Sequence, residues 1–188
     1  MIKIGITGSI ASGKTTASKF ISRGKGPLFS ADKIVKKLYS KTFFKKLLAK
    51  KLKIEFNSEF KKIIKNKILR EKEILNKIEK IIHPMVRKEM FTFFKKNKNK
   101  KLLFLEIPLL IESKLMKYFD VIIFIKSKKK LRMKRFKFKN SNMKLFSILD
   151  NHQIKDVKKM KLCDHIVVNN KSLFILKKNL SNIIKSYE

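Results

Sequence analysis

The chain has 188 residues and a formal net charge of +35 at pH 7. This length fits one domain with a core of its own, and the single cysteine, Cys163, excludes an internal disulfide bond and favours a reducing compartment. No apolar run approaches the ~20 residues that span a bilayer, and the first residues do not resemble a signal peptide. We therefore expect a cytoplasmic protein with no membrane partner.

The positive charge is spread along the whole chain. Only five of the 49 basic residues are arginines, and the lysines run from end to end rather than forming one stripe. Proteins that recognise nucleic acid specifically depend on arginine forks and aromatic platforms. Lysine, isoleucine, phenylalanine and asparagine are abundant while glycine, alanine, proline and tryptophan are scarce. We attribute the charge to a coding bias toward A and T, and we expect no specific nucleic-acid partner.

The first predicted elements are a strand, a loop and a helix. An apolar run over 2–6 leads into Gly-Ser-Ile-Ala-Ser-Gly-Lys-Thr at 8–15, after which Ala17, Phe20 and Ile21 recur at helical spacing. The loop matches the phosphate-loop pattern G-x-x-x-x-G-K-[ST] at every fixed position. The alternative, a chance glycine turn, is weak because three of the five glycines in the chain lie in this segment.

Each residue type in this loop has a chemical task. Glycines let successive backbone N–H groups point at phosphate oxygens, Lys14 neutralises the terminal phosphates of a nucleoside triphosphate, and Thr15 offers a hydroxyl to Mg²⁺. The pattern therefore predicts a nucleotide site with Thr15 as the metal ligand. The candidate nucleotide-binding residues in the loop are Ala11, Ser12, Gly13, Lys14, Thr15 and Thr16.

Helices and strands alternate along the rest of the chain. The predicted elements are a loop over 24–27, a strand over 28–29, a helix opening near Asp32, a long helical stretch over 42–94 interrupted near His83 and Pro84, a solvated turn over 95–101, strands over 102–105, 121–125 and 166–168, a helical segment before the last strand, and a helix over 173–184. Strands separated by helices predict an α/β fold with a parallel sheet. The phosphate loop then lies at the carboxyl edge of that sheet, where ligands bind.

Two carboxylates follow predicted strands and have two interpretations each. Asp32 could accept the proton of an attacking hydroxyl or could cap the helix that begins beside it, as could Ser30, and the pattern favours neither interpretation. Glu106 could hold a magnesium-bound water or could be an ordinary carboxylate at the end of a strand. His83 is more simply explained by a helix restart at Pro84 than by catalysis.

Four further segments carry a resemblance to a known family. They are Ser30-Ala31-Asp32, Ile81-Ile82-His83-Pro84-Met85-Val86 followed by Arg87, Pro108-Leu109-Leu110-Ile111-Glu112, and Asp164-His165-Ile166-Val167-Val168-Asn169 with Gln153 before it. Together with the phosphate loop, this ordered set resembles the dephospho-coenzyme A kinases, which are phosphate-loop kinases of the nucleoside-monophosphate-kinase type. The match covers nearly the whole chain.

The resemblance implies a reaction and a set of residues. The reaction is transfer of the ATP γ-phosphoryl group to the ribose 3′-hydroxyl of dephospho-coenzyme A, the last step of coenzyme A biosynthesis, with Mg²⁺ on Thr15. Asp32 matches the family's proposed base, which acts with Lys14, and residues 164–170 with Asn169 lie beside the adenine. The candidate substrate-binding residues are His83, Arg87, Leu109, Arg132 and Arg135.

The resemblance also implies an organisation. It is a single three-layer domain, active as a monomer or a small homo-oligomer, with a core over 1–37, 101–125 and 152–188. A helical substrate-binding region covers 38–94, and a lid covers 126–151 and excludes water when it closes.

The chain departs from the family pattern at three places. Ser30 stands where the first aspartate of Asp-Ala-Asp is expected, and Lys61 and Lys65 stand where substrate-binding arginines are usual. Met133 occupies the expected position of a lid arginine, so Arg132 and Arg135 are both open as its replacement. A kinase for another small hydroxyl compound, such as a nucleoside or nucleotide, is the first alternative function, and a basic nucleic-acid-binding NTPase is the second.

Overall fold

The computed structural model describes residues 1–71, 73–139 and 142–188. Residue 72 of the predicted helical region and residues 140 and 141 of the predicted lid lie outside the described residues. By its contacts the chain divides into two units, the first comprising Met1–Ala31 with Phe93–Glu188 and the second comprising Asp32–Thr92.

A five-stranded parallel sheet forms the centre of the first unit, with strand order β2-β3-β1-β4-β5. Its middle strand is the one that precedes the phosphate loop, and Ile6 on that strand lies opposite Glu106 on one side and Ile123 on the other. The predicted α/β fold with a parallel sheet is therefore confirmed. The strands are β1 (Ile2–Thr7), β2 (Leu28–Ser30), β3 (Leu102–Glu106), β4 (Val121–Lys126) and β5 (His165–Val168).

Helices connect the strands across the described residues. They are α1 (Lys14–Ser22), α2 (Ala31–Ser40), α3 (Thr42–Leu52), α4 (Phe60–Arg70), α5 (Glu73–Lys96), α6 (Lys129–Lys139), α7 (Met143–His152), α8 (Asp156–Met160) and α9 (Leu173–Lys185), with a short 3₁₀ helix over Met116–Tyr118. The turn predicted over 95–101 contains the last residues of α5 and leads directly into β3.

Both faces of the sheet are covered, which explains why the central strands are continuous apolar runs. On one face, Ile4 and Ile6 of β1 belong to the same core cluster as Ala17 and Ile21 of α1 and Leu180 of α9. Each of these five side chains is at most 1% exposed. Burial of this kind stabilises the fold by roughly 1.5–3 kcal/mol for each large aliphatic side chain.

The opposite face requires a glycine in the middle strand. A Cβ atom on Gly5 would lie 2.7 Å from Cδ1 of Leu110 and 3.0 Å from Cδ1 of Phe119. Leu110 is completely buried in the turns that follow β3. These turns therefore pack directly on the backbone of β1, the strand that leads into the phosphate loop.

The second unit is helical. It holds most of α2, all of α3 and α4, and most of α5, with buried apolar residues such as Phe44, Leu48, Ile64 and Ile78. Tyr39 packs edge-on against Phe44 with ring centroids 5.2 Å apart, and burial raises the pKa of its phenol.

The prediction of a helix break at His83 and Pro84 was wrong. Pro84 lies inside α5, which runs without interruption from Glu73 to Lys96. Proline removes one backbone donor, but eleven residues before it and twelve after it still form helical turns. The breaks occur instead at Lys53, whose φ of 51° ends α3 in the left-handed region, and at Glu71, which ends α4 in an extended conformation. Neither position has a glycine or proline to mark it.

None of the helices in the described ranges is long and apolar enough to cross a membrane.

Cys163 is half-buried, and burial together with the neighbouring Asp164 carboxylate raises the pKa of its thiol to about 11. The thiol therefore stays protonated near neutral pH, as expected of a packing residue rather than a nucleophile.

Candidate active site

The phosphate loop connects the end of β1 at Thr7 to the start of α1 at Lys14. Its backbone enters unusual conformations at Gly8 (φ 147°), Ala11 (φ 58°) and Gly13 (φ 99°). A side chain at Gly8 would place Cβ 2.5 Å from the carbonyl oxygen of Ile125. The two glycines of the pattern are thus required for the curl of the loop, as the sequence predicted.

The start of α1 is left open to an anion. Gly13 precedes the helix in a left-handed conformation without a side-chain capping bond, and the first turn contains no acidic residue. The first N–H groups of a helix have no partner within the helix, and the helix dipole adds positive potential there. This end of α1 therefore has the properties of a phosphate-binding site.

Lys14 is held inside the loop. Its side chain is buried, with a residue exposure of 8%, and Nζ donates a hydrogen bond to the carbonyl oxygen of Ser9 at 2.8 Å. The ammonium is therefore held against the backbone of the loop rather than extended into solvent.

Thr15 and Ser30 meet at a buried carboxylate. Glu106, at the end of β3, is 1% exposed, and it accepts hydrogen bonds from Oγ1 of Thr15 and, at 3.0 Å, from Oγ of Ser30. Ser30 pairs with Glu106 in the register of β2 and β3. Glu106 is thus more than an ordinary carboxylate at a strand end, because it connects the loop to two neighbouring strands.

Asn169 and Arg135 contact the end of the loop. Nδ2 of Asn169 donates to the carbonyl oxygen of Ser12 at 2.8 Å, and a guanidinium nitrogen of Arg135 reaches the same oxygen at 3.3 Å. Arg135 also donates to the carbonyl oxygen of Asn169 at 3.1 Å. The sequence identified both residues, but it could not show that they share one backbone carbonyl.

Arg132, one turn earlier on α6, has different partners. It is 5% exposed, forms an ion pair with Asp150 of α7, and donates to the carbonyl oxygen of Ile10 at 3.4 Å. Its guanidinium joins the two helices of the predicted lid to the first half of the loop. Of the two candidates for the lid arginine, Arg135 is only half-buried and lies nearer the open end of α1.

Leu109 is half-buried in the turn after β3, where its carbonyl oxygen accepts a hydrogen bond from the N–H of Ser113 at 2.9 Å. The preceding carbonyl, that of Pro108, accepts from Oγ1 of Thr7 at 3.1 Å, which ties this turn to the end of β1. Leu109 therefore follows a segment fixed to the strand that carries the loop.

The remaining candidates belong to the helical unit. Asp32 is exposed in the first turn of α2, which starts one residue before it at Ala31. The capping interpretation placed Asp32 just outside this helix, and that boundary was wrong because Asp32 lies inside the first turn. His83 is half-buried and Arg87 exposed on α5, and their spacing of four residues puts them on one face of that helix.

Sequence reasoning missed a second set of residues at the loop. Gln153 accepts a hydrogen bond from the N–H of Ile10 at 3.1 Å, Asp156 accepts one from the Ser9 hydroxyl, and Lys159 pairs with Glu112. Gln153 and Glu112 had been noted only as parts of the family pattern. Asp156 and Lys159 carried no signal, because one aspartate and one more lysine are unremarkable in this composition.

The fold and the loop together define a phosphate-loop kinase. A structure of TT1252 from Thermus thermophilus has the same fold, with a TM-score of 0.79 at 21% identity, covering 98% of this chain and 97% of that one. A deoxyadenosine kinase from M. mycoides has a TM-score of 0.56 at 17% identity, covering 98% and 100% of the two chains.

Sequence comparison gives the family. A family model for dephospho-CoA kinase matches residues 2–174. A dephospho-CoA kinase from Rickettsia conorii is 31% identical, with 100% of this chain and 98% of the relative covered, and one from Bartonella henselae is 32% identical, with 97% and 96% covered. A solved dephospho-CoA kinase from Campylobacter jejuni is 25% identical with a TM-score of 0.66, covering 98% of this chain and 96% of that one.

The chain belongs to the dephospho-CoA kinase family. It is an ATP-dependent kinase of coenzyme A biosynthesis, as the resemblance predicted.

Proposed function

We propose that the chain transfers the γ-phosphoryl group of ATP to the ribose 3′-hydroxyl of dephospho-CoA, giving CoA and ADP, with the residues named below. The observation that carries this assignment is the curled phosphate loop, with Lys14 buried and bonded to Ser9, at the uncapped start of α1. Membership of the family supports the acceptor.

The loop binds the phosphates and stabilises the charge that moves. Backbone N–H groups between Ala11 and Thr16 donate to phosphate oxygens, and the Lys14 ammonium offsets negative charge on the transferred group. Because Lys14 is already held by Ser9, little side-chain entropy is lost when ATP binds. Asn169 fixes the loop and borders the adenine.

The residues present fit a magnesium ion. Thr15 supplies a hydroxyl oxygen and Glu106 a buried carboxylate that already contacts this hydroxyl, and hard oxygen donors are the ligands that Mg²⁺ prefers. Thr15 would ligate the ion and Glu106 would hold one of its waters. When bound, the ion would offset negative charge on the phosphates.

Asp32 is the proposed base. Its carboxylate would accept the proton of the 3′-hydroxyl as the oxygen of that group forms its bond to the γ-phosphorus. His83 and Arg87, on one face of α5, would bind polar groups of the acceptor, and Leu109 would contact an apolar part of it. Arg135, on the lid over 126–151, would contact the phosphates. Arg132, one turn away on α6, would hold the lid to the loop.

The experiment is a coupled assay of ADP release. With dephospho-CoA as acceptor, we expect turnover that depends on both ATP and acceptor, and a product that coelutes with CoA. CoA itself is the matched control, because its 3′-oxygen already carries a phosphate and it should not be phosphorylated. Turnover with nucleosides but not with dephospho-CoA would assign the enzyme to another acceptor.

A further inference from the structure

The outer side of the phosphate loop is held by a segment that has no proposed part in the chemistry. This bracing segment, residues 153–159, runs from the end of α7 into α8. Gln153 Oε1 accepts a hydrogen bond from the N–H of Ile10 at 3.1 Å, and the Asp156 carboxylate accepts one from the hydroxyl of Ser9. Ser9 is 2% exposed, so its hydroxyl has little access to water as an alternative partner.

The bracing segment is anchored by a buried ion pair. Lys159 is 0% exposed, and its Nζ lies 2.6 Å from Oε1 of Glu112, the last residue of the Pro-Leu-Leu-x-Glu segment. The same carboxylate oxygen accepts a hydrogen bond from the N–H of Ile154 at 3.1 Å. Two points of the bracing segment therefore meet one carboxylate, which lies in the turns packed on β1.

Such a pair is poorly explained by stability alone. Removing two charges from water carries a desolvation cost that a well-packed apolar pair would avoid. The Lys159 ammonium and the other oxygen of Glu112 are both buried without a hydrogen-bond partner among the described residues, which adds to this cost. Conformational specificity offers the better explanation, because two buried opposite charges favour one pairing of these segments over alternatives that would leave either charge unpaired.

Ser9 connects the bracing segment to the reacting groups. Its hydroxyl donates to Asp156, and its carbonyl oxygen accepts the hydrogen bond of Lys14 at 2.8 Å. A rotation of the Ser9 peptide would therefore displace the Lys14 ammonium. Ile10 is held in the same way, with Gln153 on its N–H and Arg132 on its carbonyl oxygen.

We propose that Gln153 and Asp156 are positioning residues for the ATP phosphates, that they act through Ser9 and Lys14, and that the Lys159–Glu112 pair holds them at the loop. This inference rests on the proposed function of the loop. It adds a remote determinant of nucleotide affinity that lies outside the phosphate-loop pattern itself.

The test is a double-mutant cycle read by ADP affinity. Asp156→Ala and Ser9→Ala should each weaken Mg·ADP binding, measured by calorimetry, by about 5- to 20-fold, and the double variant should be no weaker than the worse single one. Asp156→Asn keeps an oxygen acceptor and should bind ADP within about twofold of wild type. Wild-type affinity in Asp156→Ala, or fully additive losses in the cycle, would overturn the proposal.

The matched control is Asp120→Ala. Asp120, just before β4, accepts a hydrogen bond from the backbone N–H of Lys3 at 2.7 Å, near the amino end of β1 and away from the loop. This variant should lower thermal stability and leave ADP affinity unchanged. Equal losses of affinity in Asp120→Ala and Asp156→Ala would assign the effect to general destabilisation and contradict positioning.

The ion pair is tested by removing both charges. Lys159→Met alone leaves Glu112 buried and unpaired, so we expect it to unfold at lower temperature. Lys159→Met with Glu112→Gln should recover most of that stability while the KM for ATP stays raised about fivefold and the KM for dephospho-CoA is unchanged. Recovery of stability and ATP affinity together would show a purely structural pair. An enzyme that phosphorylated some other acceptor would still give the ADP results, so failure of the proposed reaction would be distinguishable.

Discussion

At the scale of single residues, Lys14 is the side chain on which the phosphate loop depends most directly. Replacing it with Ala should lower kcat by roughly 10²- to 10³-fold or more, because the proposed role of the ammonium is to stabilise charge that develops in the transition state. The fold should survive, because Lys14 lies at the start of α1 and is not part of the apolar core cluster. Rates of CoA formation and a thermal melt measure the two effects.

Lys19 provides the matched control for this experiment, because it is an exposed lysine on the same helix. Lys19→Ala should keep wild-type turnover. Near-normal activity in a folded Lys14→Ala enzyme would contradict the assignment of the loop.

Asp32→Asn separates the two interpretations of that carboxylate. If Asp32 is the base, replacing it with Asn should lower turnover by roughly 10²- to 10⁴-fold, because an amide cannot accept the proton of the hydroxyl group. If Asp32 only places a negative charge in the first turn of α2, the same substitution should lower the free energy of unfolding by a few tenths of a kcal/mol and leave turnover unchanged. ATP affinity should be unchanged in either case.

The measurement for Asp32→Asn is a pair, nucleotide affinity and rate of CoA formation. If both stay near wild type, the residue serves only its helix. If ATP affinity falls together with the rate, Asp32 serves the nucleotide or its metal ion and not the acceptor.

Residues could be predicted from the sequence where chemistry restricts the residue type. Lys14 and Thr15 were recognisable because a phosphate loop accepts few alternatives at those positions. Lys159 was not, because one buried lysine cannot be distinguished from dozens of exposed ones without knowing what packs around it. Glu106 could be predicted in part. Its place at the end of a strand was recognisable, but its contacts with Thr15 and Ser30 depend on the register of β2 and β3, which the sequence does not give.

At the scale of elements, α5 carries a testable irregularity. Pro84 lies exposed in the middle of this helix and cannot donate a hydrogen bond to the preceding turn. Pro84→Ala should restore that bond and raise the free energy of unfolding by about 1–3 kcal/mol. Urea unfolding followed by circular dichroism measures the change. A fall in stability would mean that packing of the proline ring outweighs the lost hydrogen bond.

Strands were predicted better than helix ends. The apolar runs that became β3 and β4 were placed to within a residue, because a buried parallel strand requires an uninterrupted apolar sequence. The division of 42–94 into three helices was not foreseen. Glu71 ends α4 in an extended conformation that any residue adopts, and Lys53 ends α3 in the left-handed region at a cost of roughly 1–2 kcal/mol, so neither residue type marks the end of its helix.

At the scale of the whole molecule, the charge of +35 should act on rates of encounter. ATP and dephospho-CoA are anions, and their attraction to the enzyme is screened as salt shortens the Debye length, which is about 10 Å at 0.1 M. Raising the ionic strength from about 0.05 to 0.3 M should lower kcat/KM severalfold and leave kcat within about twofold. Steady-state kinetics over a salt series tests this.

The exposed lysines at 95, 96, 98 and 100 offer a variant for the same series. Exchanging them for Gln should leave kcat unchanged, because these side chains are exposed where α5 ends and the following turn begins. Added DNA or RNA should not stimulate ATP turnover at any salt concentration. Stimulation would favour a nucleic-acid-dependent NTPase and would give the lysine excess a specific role.

The contacts of the phosphate loop have a consequence for synthesis of the protein on the ribosome. The loop is translated before the residues that hold it, because the carbonyl of Ser12 accepts from Arg135 and Asn169 and the N–H of Ile10 donates to Gln153. Likewise, β1 can pair in the sheet only after its neighbours β3 and β4, which end at Glu106 and Lys126, have been translated. A nascent chain therefore completes the proposed nucleotide site only after Asn169 has emerged, so we expect ATP to stabilise the folded enzyme rather than to guide early folding.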